Sequence, residues 1–173
     1  SVLTISDDKF LDENYDASVA DGSIVLTNWS DGHNHLYLYS FDQANPDSAT
    51  AKLDRQLTKG DFDVAGVSRV DHEHKIVYYT SNEGNVLEQQ IWQVSFEGDR
   101  KRLSTGAGDH LPDFAPDGGT YSDKFSSRMS APTFQLCRTG NKCSVYWSTH
   151  ALDAYALRAP EQLQVKASDG SLL

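Results

Sequence analysis

Eighteen residues, IVLTNWSDGHNHLYLYSF from Ile24 to Phe41, constrain the fold of this chain more than any other stretch. An apolar run, a turn centred on Asp31-Gly32 and a second, aromatic run make an antiparallel hairpin. Val, Ile, Leu, Trp and Tyr suit a pleated, half-buried surface, and Asp-Gly supplies the positive φ of a tight hairpin turn. The design returns at Ile76 to Phe96, IVYYTSNEGNVLEQQIWQVSF, with Asn82-Glu83-Gly84 in the place of Ser30-Asp31-Gly32. A hairpin that repeats predicts an architecture of repeated sheets.

Three anchors extend the repeat. Leu3-Thr4, Leu57-Thr58 and Leu103-Ser104 lie 54 and 46 positions apart. Ala20-Asp21-Gly22 returns as Pro116-Asp117-Gly118, and Ile24-Val25 returns as Ile76-Val77 at an offset of 52. They mark out three units, 5–57, 58–103 and 104–148, each a series of four short strands. First strands are expected at Tyr15–Ala20, Phe62–Val70 and His110–Ala115. Second strands are expected at Ile24–Trp29, Ile76–Thr80 and Thr120–Phe125. Third strands follow at Leu36–Phe41, Ile91–Phe96 and Thr133–Cys137, and fourth strands at Ala51–Leu57, Lys101–Leu103 and Ser144–Trp147. Four antiparallel strands per roughly 40–50 residues is the pattern of a β-propeller blade. The expected fold is all-β, a partial propeller of about three consecutive blades over residues 1–148. A β-sandwich with turns at similar spacing is the alternative. Runs apolar on both sides, Tyr37-Leu38-Tyr39 and Ile76-Val77-Tyr78-Tyr79, favour blades, because a blade packs on both faces.

Two stretches depart from the repeat. Asp42 to Thr50 (DQANPDSAT) is a polar, exposed loop between a third and a fourth strand. After Trp147, Ala151–Leu157 is expected to make two helical turns and Gln162–Lys166 a strand. Residues 149–173 then read as a linker into a further domain.

The chain has 173 residues, 38% of them hydrophobic, with a mean hydropathy of −0.54 and a formal net charge of −10. That is enough for a sizeable core. Its charge opposes binding to nucleic-acid phosphates or to anionic membrane surfaces, and the one basic run, Arg100-Lys101-Arg102, is too short to counter it. No apolar run approaches the roughly 18 residues of a membrane span. Cys137 and Cys143 flank a turn, Arg-Thr-Gly-Asn-Lys. They are either a cross-strand disulfide, which would point to an oxidising compartment, or two free thiols.

Several segments in order carry a family resemblance. WSDGHNHLYLY (Trp29–Tyr39) followed by Gln56-Leu57-Thr58-Lys59-Gly60 resembles the N-terminal propeller of dipeptidyl peptidase IV-type serine peptidases. LPDFAPDGGTYSDKFSS (Leu111–Ser127) is similar to a later blade of that family, and the tail from Ala151 to its passage into the α/β-hydrolase domain. The resemblance implies a C-terminal piece of the propeller in a periplasmic or extracellular exopeptidase that removes N-terminal dipeptides. The Ser-Asp-His triad of such a parent lies on the hydrolase domain, and an acidic pair in the propeller grips the free amine of the peptide.

The residues present do not supply that chemistry. A nucleophile elbow needs G-x-S-x-G. The nearest approach, Gly66-Val67-Ser68-Arg69-Val70, ends in Val and reads as a buried strand. No Glu-Glu pair occurs, and Glu13 and Glu83 stand alone in expected loops. No catalytic, cofactor-binding or metal-ligating residue is therefore assigned. His33 with His35, and His72 with His74 beside Asp71 and Glu73, have chelating spacing, but are read as solvated turn and strand-start residues. Asp7, Asp8, Asp12 and Asp21 lack the spacing of a calcium loop and are read as turn builders. Trp92, Trp147 and Tyr155 suit packing between blades better than sugar stacking.

The expected role is that of a non-catalytic propeller fragment that shapes and gates a peptide cavity and docks the hydrolase domain. Its partners are then the missing blades and hydrolase domain of the parent chain, the peptide substrate, and a possible second copy through open blade faces. The alternative is an autonomous protein-interaction module with no link to proteolysis.

Overall fold

The computed structural model describes residues 1–6, 14–140, 143–156, 158 and 160–172. Its strands are β1 Ala17–Ala20, β2 Ser23–Asn28, β3 His35–Ser40, β4 Lys52–Gln56, β5 Val64–Asp71 and β6 Ile76–Ser81, followed by β7 Gln90–Ser95, β8 Arg100–Arg102, β9 Asp109–Phe114, β10 Thr120–Ser127, β11 Ser130–Arg138 and β12 Ser144–Ser148. They form three four-stranded antiparallel sheets, β1–β4, β5–β8 and β9–β12, in which each strand pairs with its chain neighbours. No helix occurs among the described residues. The sheets are consecutive propeller blades, as the repeat predicts.

Pairing registers sort the side chains onto blade faces. In the first blade, Val25 lies opposite Leu38 and Thr27 opposite Leu36, facing the second blade. Ile24, Leu26 and Tyr37 face the other way. Val77 and Tyr79 of β6, with Val94 of β7, meet the first blade, and the shared core holds Val25, Leu36, Leu38, Leu57, Val64, Val77, Tyr79, Val94 and Phe96. A smaller cluster of Ile91, Tyr121 and Cys137, flanked by Leu103 and Phe114, joins the second blade to the third.

The repeat also has a corrected register. Leu36 N–H donates to Thr58 Oγ1, as Ile91 N–H does to Ser104 Oγ, so Leu36 and Ile91 are equivalent. Their partners on the second strand are Thr27 and Thr80, an offset of 53. The Ile24-Val25 and Ile76-Val77 pairs, matched at 52, are thus one residue out of phase. A slip of one residue exchanges the two faces of a strand. Ile24 corresponds to Val77.

Four other expectations change. The tight turn lies at Asp21-Gly22, with φ of 50° and 70° between the paired Ala20 and Ser23, the geometry of a type I′ turn. Asp31-Gly32 instead sits in a longer loop closed by Gly32 N–H to the Trp29 carbonyl. The third blade's middle hairpin runs further than expected, with Ser127 opposite Ser130. Beyond β12, the described part of 151–157 makes isolated turns instead of helix, and Leu157 lies outside the described residues. In place of a strand at 162–166 there is one bridge, Lys166 to Leu172.

Candidate functional site

Leu57-Thr58 and Leu103-Ser104 are polar latches at the exits of β4 and β8. Beyond β4, Leu57 N–H donates to the Leu36 carbonyl, which leaves Thr58 beneath β3. The Thr58 hydroxyl accepts from Leu36 N–H at 2.9 Å and lies 3.0 Å from His35 Nδ1. His35 Nε2 lies 3.0 Å from the Gly60 carbonyl. A carbonyl can only accept, so His35 carries a proton on Nε2, and in the neutral ring Nδ1 then accepts from the Thr58 hydroxyl. The second blade repeats this with other residues. Ser104 Oγ accepts from Ile91 N–H and donates to Gln90 Oε1 at 2.6 Å, while Gln90 Nε2 reaches the carbonyls of Gly106 and Gly108. His35 and Gln90 occupy equivalent positions, and both are almost fully buried.

The same register places Trp147-Ser148 in the third blade. Trp147 pairs with Phe134, the equivalent of Leu36 and Ile91, so it takes the place of Leu57 and Leu103. Leu57 packs in the seam before the second blade. Trp147 faces no blade and is half exposed, as are Leu111 and Leu136 on the same face of the third sheet. At the other end, Leu3 and Ile5 lie over the outward face of the first blade. With Tyr15, Val19, Ile24 and Leu26 they line an apolar cleft of about 340 Å³. Both outer faces are built like seams.

A second histidine is structural as well. His72, on the turn after β5, reaches into the first blade, with Nε2 2.9 Å from Ser18 Oγ and Nδ1 2.9 Å from Ser23 Oγ. Ser23 donates its proton to the Ala20 carbonyl, so it accepts from His72 Nδ1–H. Burial holds the pKa of His72 below 6.5, against the opposing pull of Asp21 and Asp71. His33 Nδ1 lies 3.2 Å from Asp63, and His74 Nδ1 lies 3.1 Å from Asp71. The Asp71 carboxyl sits below its ordinary range, chiefly through the backbone N–H of His74. His35 and His72 are therefore seam residues, which corrects their reading as solvated turn polars. No cluster of three or more His, Cys, Asp or Glu side chains suited to a metal occurs among the described residues.

Ser68 lies within β5, in a paired strand and not on a strand-to-helix turn. Cys137 and Cys143 are joined, with Cα atoms 4.1 Å apart, and Cys137 is buried in the second seam. Glu83 forms a two-pronged ion pair with Arg100, 3.0 Å at each nitrogen, and the Arg100 guanidinium lies over the rings of Phe62 and Trp92. Trp92 packs against the first seam, whereas Tyr155 is exposed. Asp7, Asp8, Asp12 and Glu13 lie outside the described residues.

Sequence reasoning missed one constellation. His110 Nδ1 meets Asp123 Oδ2 at 2.7 Å, and Gln135 Nε2 donates to the same oxygen at 2.8 Å. Both members of the His–Asp pair are 1% exposed. Burial first, and the Asp123 charge second, push the neighbouring Tyr121 hydroxyl up to about 12. The signal was present: strand alternation puts Asp123 on the face of Tyr121, which reads as core.

The family model described as "Dipeptidyl peptidase IV (DPP IV) N-terminal region" matches residues 2–132. A "Probable dipeptidyl peptidase 4" of Emericella nidulans is 24% identical over 156 residues, covering 82% of this chain and 18% of that protein. Its counterpart in Aspergillus flavus is 32% identical over 65 residues, covering 38% of this chain and 7% of that protein. The chain thus spans less than a fifth of these relatives. The crystal structure of Porphyromonas gingivalis dipeptidyl peptidase 4 shares the fold, with a TM-score of 0.85 at 21% identity over 99% of this chain and 24% of that one.

Proposed function

We propose that this chain, which belongs to the dipeptidyl peptidase IV N-terminal region family, serves as a non-catalytic C-terminal stretch of the propeller in a serine dipeptidyl peptidase. In this reading residues 1–148 are blades, divided at 5–57, 58–103 and 104–148, and 149–173 lead into an α/β-hydrolase domain. The blades wall and gate the peptide cavity and dock the hydrolase domain. The parent acts in the periplasm or outside the cell, where the Cys137–Cys143 bond persists.

One observation carries the reading. An apolar side chain like Leu57 and Leu103 stands at both outer faces, Leu3 over the first blade and Trp147 on the third. Faces made of Ile24, Leu26 and Leu3 on one side, and Leu111, Leu136 and Trp147 on the other, suit neighbouring blades. The charged outer strands, Lys52–Gln56 and Arg100–Arg102, suit the solvent-facing rim of a propeller.

The test is enzymatic. The 173-residue chain should release nothing from a chromogenic dipeptidyl substrate, and the parent protein containing it should cleave that substrate. Cleavage by the chain alone, abolished by Ser68→Ala, would refute the assignment. A parent inactive towards every dipeptidyl substrate would remove the link to proteolysis and leave an interaction module.

A further inference from the structure

The two seams are built from equivalent positions but from different chemistry. His110 N–H donates to the Gln89 carbonyl as Val64 N–H does to the Asn34 carbonyl, so His110 replaces Val64. The pairings of β9, β10 and β11 then put Asp123 in the place of Tyr79 and Gln135 in the place of Trp92. A trio with one aliphatic and two aromatic side chains in the first seam becomes a buried His–Asp pair with a half-buried Gln in the second.

That trio is incompletely satisfied. Among the described residues, His110 Nε2 and Asp123 Oδ1 are buried without a partner, and so is Gln89 Oε1 at the same seam. The first seam also leaves Asn34 Oδ1, the counterpart of Gln89, and the Tyr79 and Trp92 polar atoms unpartnered, but all of these are neutral groups. A buried ionisable pair holds elements together less well than apolar residues of similar volume.

The connectors differ in the same sense. Between β4 and β5, Phe62 is buried edge-on against His35, 4.9 Å between ring centroids, and so plugs the first seam. The equivalent position between β8 and β9 is Gly108, with φ of 142°, where a Cβ would collide with the Ser126 carbonyl. Gly106 nearby also has positive φ, at 95°, and residues 105–107 are exposed. The Cys137–Cys143 bond lies within the third blade and does not cross the seam.

From these differences we propose that the seam between the second and third blades is the opening seam of this domain. The third blade swings away as an intact unit on the Gly106–Gly108 connector while the first two blades stay together. In the parent, on the reading given above, such an opening would give peptides a side entrance to the cavity.

Hydrogen exchange of the oxidised chain in rising denaturant tests this. The first and third blades each lack a neighbouring blade on one side. Leu3 and Ile5 lie over that side of the first, however, and Ile24 and Leu26 are buried there, so the double variant below separates the seam from this difference. β9–β11 should lose protection together, and at lower denaturant than β2 and β3. Loss of β2 and β3 first, or one transition for all three blades, would overturn the proposal. Replacing the pair by apolar residues, His110→Val as at the equivalent Val64 and Asp123→Leu of similar volume, should raise protection in β9–β11 at least about tenfold. No gain in a folded double variant would also overturn it; if the variant does not fold, the exchange order of the unmodified chain decides. Neither readout depends on peptidase activity, so the seam and the assignment fail separately.

Discussion

Replacing Thr58 by Val tests the latch at its centre. Valine keeps the size and β-branching of threonine but has no hydroxyl. Two buried partners lose their bonds, the Leu36 N–H that donates to Thr58 and the His35 Nδ1 that accepts from it. Neither can turn to water, because Leu36 and His35 are both 0% exposed. An unsatisfied buried polar group costs about 1–3 kcal/mol, so two cost about 2–6 kcal/mol. Thr58→Ser keeps the hydroxyl and loses one methyl group, worth about 0.8 kcal/mol, and it copies the natural Ser104 latch. Urea unfolding of the oxidised chain at fixed pH measures both. Thr58→Val within about 0.5 kcal/mol of the unmodified chain, or no more destabilising than Thr58→Ser, would refute the argument.

Other consequences follow from the same contacts. The Cys137–Cys143 bond closes a short loop, with a sequence separation of 6. Cys143→Ser should cost about 2 kcal/mol of stability by the chain-entropy relation, read by denaturant unfolding against the oxidised chain. Equal stability of the two would remove the bond from the account. His72 makes stability depend on pH: burial favours its neutral ring in the folded state, whereas the unfolded ring takes up a proton near 6.5. Its contribution is therefore complete above about pH 6.5 and is lost as pH falls towards the lower folded value. His72→Gln should flatten the stability profile in that window, and an unchanged slope would contradict the role. Asp71 has the same sign at lower pH, because its folded carboxyl is held below 3.8. Its contribution should fade as pH falls through and below 3.8, and Asp71→Asn should remove that part of the acid transition.

Most strands were legible in the sequence because blade strands are runs of β-branched and aromatic residues separated by Asp, Asn and Gly turns. Positions 36–41, 76–80 and 144–147 needed adjustment of only a residue or two. Register was harder. Ile-Val recurs at 24 and 76, yet the structural offset is 53, because identical dipeptides can sit on opposite faces when the turn before them differs in length. Trp147 escaped notice as the counterpart of Leu57 and Leu103 because an aromatic replaces the leucine. Alternation along β10 puts Asp123 on the buried face of Tyr121, but the His110–Asp123 contact joins neighbouring strands, and no local pattern names His110 as its partner. His35 and His72 looked like turn decoration, because sequence spacing cannot show that Thr58 and Gly60, or Ser18 and Ser23, close around them. Beyond Ser148, alternation and helical spacing are weak signals when nothing packs against the segment.

Solvent footprinting of Trp147 and Tyr15 tests most directly whether the outer faces of this piece are seams of a larger propeller. They are 49% and 64% exposed in this chain and lie on opposite outer blades. Hydroxyl-radical labelling should modify both readily in the 173-residue chain and protect both strongly in the intact parent. Equal labelling of the two residues in chain and parent would contradict the account.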